Sequence, residues 1–391
     1  MIPYGRQSIN KEDIDAVIKV LKSDFLTQGP QVPLFEERIA DYCGARYASA
    51  TNSATSALHI ACLALDLGEG DILWTSPNSF AASANCGLYC GATIDFVDIN
   101  KETYNISISC LKKKLKKAKK ENKLPKILIP VHFAGQSCKM EEINNLSKEY
   151  GFSIIEDASH AIGAKYKNKP IGSCQFSDIT IFSFHPVKII TTAEGGVAVT
   201  NSKKLFDRLE LYRSHGITRN QDFFEHNFDM KWYYEQIKLG YNYRMNDIQA
   251  ALGISQMERL DEFVSQRKKI SMTYNLGLQT MPVNIPYQLP ESESSFHLYP
   301  IQLSTTNAAD RNKIFNQLIK SGIGVNVHYI PIHFHPFYKK LGFKPGDFPN
   351  CENYYSKTIS LPIHPKLTKE QQEKVISVLG NVLQNTETLS I

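Results

Sequence analysis

Apolar positions along the first half of the chain follow two rhythms that take turns. Short runs rich in β-branched residues, Ile72 to Thr75, Thr93 to Val97, Lys126 to Val131, Phe152 to Ile155, Ile179 to Phe184 and Gly196 to Thr200, are too brief for helices and read as buried strands. Between them lie stretches with helical spacing: one from about Ser53, one through Ala81 to Tyr89 and one from Met140 to Tyr150. Strands that alternate with helices predict an α/β fold whose mostly parallel sheet is covered on both faces. Ahead of this series Asn10 is placed to cap a helix whose Ile14, Val17, Ile18 and Leu21 share one face.

A long helical pattern follows, with Ile248, Ala251, Leu252, Ser255, Leu260 and Val264 in phase. It predicts the way out of a large domain, residues 1–255, into a smaller one, residues 256–391. The smaller domain reads as α+β, with strand-like His297 to Leu303 and Gly324 to Tyr329 and a helix from Thr368. A length of 391 residues suits this division, because single cores stop growing below about 300 residues.

Composition changes this picture little. The net charge of +5 is modest and gives no reason to expect nucleic acid as a partner. The one dense charge run, Lys112 to Lys120, is interrupted by Leu115 and Ala118 and preceded by Leu111, so it reads as a solvated helix with one apolar edge. Eight scattered cysteines form no C-x-x-C pair, and the N-terminus lacks the pattern of a secretory leader. No stretch approaches the ~18 apolar residues of a membrane span. A reducing, cytoplasmic setting is the expectation.

Candidate chemistry gathers at the strand ends. Lys188 lies just past the run that ends in Phe184, and a lysine partly desolvated there loses its proton easily enough to condense with an aldehyde as a Schiff base. Asp157 ends another strand, where a buried carboxylate wants a cation; a protonated pyridine nitrogen qualifies, and a helix N-cap role is the plainer alternative. Asn52-Ser53-Ala54-Thr55-Ser56 opens a helix whose free amides, those of Ala54 and Thr55 among them, suit a phosphate dianion, although such residues also cap helices everywhere. Phe80 follows a strand and is placed either to cover a pyridine ring or to fill the core. His160 is within a turn's reach of a ring hydroxyl or serves as support behind one, and Ser183 is a candidate phosphate donor. Together these positions read as a pyridoxal phosphate site. His328, His333 and His335 cluster without an acidic or cysteine partner at metal spacing, so they read as a substrate loop and no metal is expected.

The segments Thr27-Gln28-Gly29-Pro30, Asn52 to Leu58, Glu156-Asp157-Ala158, Ser183-Phe184-His185-Pro186-Val187-Lys188, Arg213-Ser214-His215-Gly216 and Gly240 to Gly253 resemble the DegT/DnrJ/EryC1/StrS sugar aminotransferases over nearly the whole chain. The resemblance implies a fold-type-I pyridoxal phosphate enzyme, with pyridoxamine phosphate as its intermediate form. Lys188 then corresponds to the Schiff-base lysine, Asp157 to the carboxylate at the ring nitrogen, Phe80 to the stacking residue and Ser183 to a phosphate ligand. Asn242 matches the asparagine that reaches the neighbouring protomer's phosphate, which implies a homodimer with composite sites. Many members carry glutamine where this chain has His160. Ser159-His160-Ala161, the run from Lys188 to Gly196 and Val327-His328-Tyr329 are similar to one branch of the family. That branch uses L-glutamate to aminate C4 of a UDP-4-keto-6-deoxy-N-acetylhexosamine with altro stereochemistry, on the route to pseudaminic acid. Tyr4, Arg6, His328 and Tyr329 are the candidate contacts to the nucleotide sugar. An aminotransferase of the bacillosamine route is the near alternative, and a sugar dehydratase, which would carry histidine in place of Lys188, a more distant one.

Overall fold

In a computed structural model, the structure describes residues 1–226, 230–304 and 308–388. Its centre is a seven-stranded sheet. In chain order the strands are β1 (Tyr47–Thr51), β2 (Ile72–Thr75), β3 (Thr93–Phe96), β4 (Ile127–Ile129), β5 (Ser153–Asp157), β6 (Ile179–Ser183) and β7 (Gly196–Thr200). They lie side by side as β1-β7-β6-β5-β4-β2-β3, parallel except for β7, which runs against both its neighbours. The strands are buried on both faces, as their near-continuous apolar runs require. Two apolar clusters, one on each side of the sheet, form the core of this part of the molecule.

The helices begin with α1 (Lys11–Leu21), α2 (Gln31–Cys43), α3 (Ala54–Ala64) and α4 (Ala82–Tyr89). Asn10 caps α1 as expected, in a reciprocal box with Asp13 at 3.0 Å in both directions. The apolar face of α1, however, is turned outward: Ile14 is 51%, Ile18 39% and Leu21 56% exposed. The helix is anchored by a polar residue instead. Asp13 is fully buried, and it accepts from Ser255 (2.7 Å), Gln256 (2.6 Å) and Arg259 (2.5 Å).

The lysine-rich run forms the helix Ile108–Lys120, with Leu111, Leu115 and Ala118 buried along one edge. The long pattern near residue 255 is two helices, Asp247–Met257 and Leu260–Gly277, separated by Glu258 and Arg259. The second of them joins the two parts of the molecule. Leu260, Phe263 and Val264 belong to the large core, whereas Ile270, Tyr274 and Leu278 belong to a third apolar cluster around the three-stranded sheet of Val283–Asn284, Tyr299–Leu303 and Thr358–Leu361. Residues 324–329, expected as a strand, contribute only an isolated bridge from Asn326 to Ser360. The N-terminal segment joins this smaller part through a bridge from Ile2 to Ile323 and a bond from the Ile363 amide to the Tyr4 carbonyl at 3.0 Å. No helix among the described residues is long and apolar enough to cross a membrane.

Candidate active site

Lys188 sits in the loop between β6 and β7. The loop is closed at its base by Phe184, whose amide donates to Gly195 and whose carbonyl accepts from Thr192 and from the Thr191 hydroxyl. Burial pulls the Lys188 amine from its usual 10.5 down to about 8, and the opposing pull of the Asp157 carboxylate offsets only part of that. Asp157 ends the neighbouring strand β5, so adjacent parallel strands deliver the amine and the carboxylate to the same edge of the sheet. Alternation along β5 turns Glu156 to the other side, where it receives His132 at 2.6 Å and the hydroxyl of Thr180 at 3.1 Å.

Both oxygens of Asp157 are held. Oδ1 accepts from the Ser159 amide at 3.1 Å, and Oδ2 from the Ser83 hydroxyl at 2.6 Å, with Ser79 backing Ser83 at 2.7 Å. No α-helix begins here, so the carboxylate is not a helix cap. Ser83 belongs to α4 and stands 74 residues away in sequence. Nothing local in the sequence marks it.

The expected phosphate cup assembles from three places. Ser53 caps α3 by accepting from the Ser56 amide at 3.1 Å, and the Ala54 and Thr55 amides have no acceptor among the described residues. Ser183 at the end of β6 pairs in register with Gly196 of β7. Gly196 in turn lies so close to the start of α3 that a Cβ there would meet Ala54 Cα at 2.5 Å. Glycine is required at that position by space alone.

Around the amine stand three buried histidines, His160, His297 and His328. Burial, and then the nearby charge of Lys188 with its histidine neighbours, holds His160 and His297 well below the usual imidazole range, and takes His328 to about 3. All three are therefore neutral at pH 7. His297 was not singled out from sequence; its ring centroid is 4.4 Å from that of His160.

Tyr329 joins this group through a 3.0 Å bond to His160 Nε2, and its ring lies 6.4 Å from that of Phe80. Phe80 is 64% exposed, which rules out a core role. His328 bonds Ser360 at 2.8 Å and packs against Tyr4 at 5.5 Å. Arg6 is exposed, and its charge is felt at His364. His333 departs from its neighbours in the loop: it is fully buried and pairs with Glu352 at 3.0 Å. Asn242 is exposed, in a segment pinned between the Arg213 carbonyl and the Asn52 amide by the backbone of Tyr243. Of the expected positions, Lys188, Asp157, His160, Tyr329, Phe80, His328 and Tyr4 therefore form one connected neighbourhood.

Residues 7–380 match the profile of the DegT/DnrJ/EryC1/StrS aminotransferase family. The chain belongs to that family. Within it, the chain is 40% identical over 388 residues to the UDP-4-amino-4,6-dideoxy-N-acetyl-beta-L-altrosamine transaminase of Campylobacter jejuni, covering 99% of each. Among solved structures, Helicobacter pylori PseC, an aminotransferase involved in the biosynthesis of pseudoaminic acid, superposes with a TM-score of 0.90 at 34% identity, over 98% of this chain and 99% of that one. Spr1654 of Streptococcus pneumoniae, described as a sugar aminotransferase and solved in PMP and PLP forms, gives TM-scores of 0.89 and 0.88 at 29% identity. Its PMP form covers all of this chain and 99% of its own.

Proposed function

We propose that this chain is a pyridoxal 5'-phosphate-dependent aminotransferase that moves the amino group of L-glutamate to C4 of a UDP-4-keto-6-deoxy-N-acetylhexosamine. The product is UDP-4-amino-4,6-dideoxy-N-acetyl-L-altrosamine, the intermediate that leads to pseudaminic acid. The observation that carries this reading is the placement of Asp157 at the end of β5 and of Lys188 in the loop that follows the adjacent strand β6, with the Lys188 amine brought down to about 8. Full-length similarity to relatives described by that activity supports the choice of substrate.

The residues fit the cofactor: an easily deprotonated amine, a carboxylate with two hydrogen-bonded oxygens, and unpartnered amides at the start of α3 beside Ser183. When bound, the cofactor supplies a pyridinium ring that accepts the electron pair released as the amino acid loses its α-proton. Lys188 holds and moves that proton, first as base and then as acid, and its lowered pKa leaves it poised near working pH for both. Asp157 would present its carboxylate to the ring nitrogen, with Ser83 and Ser159 fixing its orientation. The Ala54 and Thr55 amides and Ser183 would bind the phosphate, and Phe80 would cover the ring. Tyr4, Arg6, His328 and Tyr329 line the approach for the sugar. The exposed Asn242 is assigned to the partner's phosphate in a homodimer, and eight free cysteines suit a reducing cytoplasm.

Epimeric UDP-4-keto sugars offered with L-glutamate test the reading. Formation of 2-oxoglutarate with a C4 amine of altro configuration is expected. Amination of only the sugar of the bacillosamine route would reassign the substrate, and loss of a sugar hydroxyl without glutamate turnover would make the protein a dehydratase.

A further inference from the structure

His160 is surrounded by contacts that fix which of its nitrogens carries the proton. The Ala134 amide donates to His160 Nδ1 at 3.3 Å, so Nδ1 is an acceptor and the single proton of a neutral ring resides on Nε2. The turn that presents this amide is tight. Ala134 has φ +58° and Gly135 +97°, and a Cβ at Gly135 would stand 2.6 Å from Ser295 Oγ and 2.9 Å from the Phe296 amide. Ser295 also donates to the His160 carbonyl at 2.9 Å, which pins the histidine's own backbone to the same loop.

The Nε2 proton is spent on Tyr329, whose oxygen lies 3.0 Å away. Two consequences follow. His160 has no donor left for any other group, and the Tyr329 oxygen, already accepting, has its own proton to give. No acceptor for that proton exists among the described residues. The Tyr329 ring is flanked by Phe80 and Phe133 at 6.4 and 6.3 Å, and its hydroxyl feels the charge of Asp157, while His160 feels that of Lys188. The pair therefore stands alongside the amine and the carboxylate between which the proposed cofactor would be held.

We infer that Tyr329, not His160, is the hydrogen-bond donor to the ring oxygen of the cofactor, and that His160 is a positioning residue which turns the Tyr329 proton toward it. This deepens the proposed function and rests on it. The ring oxygen sits next to the carbon that Lys188 captures, so a donor to it competes for the oxygen's negative charge with the proton at the lysine nitrogen. Loss of the donor raises the pH at which that proton leaves.

The experiment titrates the visible absorbance of the cofactor-loaded protein for the native chain, Tyr329→Phe, His160→Phe, His160→Gln and the double variant Tyr329→Phe/His160→Phe. Tyr329→Phe is expected to raise the midpoint by about one pH unit, a tenfold change in proton affinity. His160→Phe should give the same rise, the double variant no further rise, and His160→Gln, which keeps one donor and one acceptor, a midpoint near native. An unmoved midpoint in Tyr329→Phe overturns the inference, as does an additional rise when His160 is removed from the Tyr329→Phe background. Tyr329→Phe preserves the aromatic contacts, so it decides the matter even if His160→Phe does not fold. Failure of the native protein to take up pyridoxal phosphate would instead overturn the proposed function.

Discussion

At the residue scale, the burial of Lys188 has a cost that pH exposes. A lysine in the unfolded chain keeps its proton to about pH 10.4, whereas Lys188 in the fold gives it up near 8. Between those values the unfolded state binds more protons, so the stability of the cofactor-free protein rises with pH across that window. The penalty is fully present below pH 8 and relieved by about 10.5. Cofactor-free Lys188→Met should therefore be the more stable protein at pH 7, with the gap closing between pH 8 and 10.5 in urea denaturation curves. A gap that stays constant or widens over that range would mean the amine is not desolvated. The positions of Lys188 and Asp157 at one edge of the sheet were legible in the sequence because Asp157 ends its strand and Lys188 follows its own within a few residues. Ser83, His297 and the pairing of His160 with Tyr329 were not, since these contacts join positions 74 to 169 residues apart and leave no local pattern.

Among elements, the junction of β7 with α3 carries the most consequence. Gly196 lets the strand lie against the first turn of the helix, and the Ala54 and Thr55 amides depend on that contact for their position relative to Ser183. Gly196→Ala would place a methyl group within 2.6 Å of the Ser53 carbonyl carbon, against backbone that has no easy way to yield. Overpacking of this kind costs about 1–3 kcal/mol. The variant should melt lower and bind pyridoxal phosphate at least tenfold more weakly by absorbance titration; native-like affinity would detach the start of α3 from phosphate binding. The strands β2 and β7 and the helix Met140–Tyr150 fall where the sequence pattern puts them, because each is short, apolar and bounded by clear turns. The pattern found α1 and its cap but not its surroundings. Its face of Ile14, Ile18 and Leu21 is turned outward, and the helix is docked through Asp13 to residues more than 240 positions away. Periodicity reports that a face is apolar and cannot say which surface covers it.

For the whole molecule, the proposed homodimer makes a prediction that a single chain cannot. If Asn242 serves the partner's site, a Lys188→Ala chain and an Asn242→Leu chain fail in the same hybrid site and leave the other site intact. Random mixing of two inactive variants should then restore about a quarter of native activity, because half of the dimers are hybrids with one working site each. No recovery on mixing, in a preparation shown to exchange subunits, would place Asn242 in its own protomer's site or outside it altogether.

Lys188 is the residue proposed to capture the cofactor, and one measurement addresses that role directly. The pyridoxal phosphate-loaded protein is reduced with borohydride, digested, and its peptides are mapped by mass. A cofactor adduct is expected on Lys188, none in Lys188→Ala, and none in the native protein when L-glutamate is added before reduction, because the cofactor then carries the amine and no longer bonds the lysine. An adduct on another lysine, or none in a protein that still transfers the amine, would contradict that role.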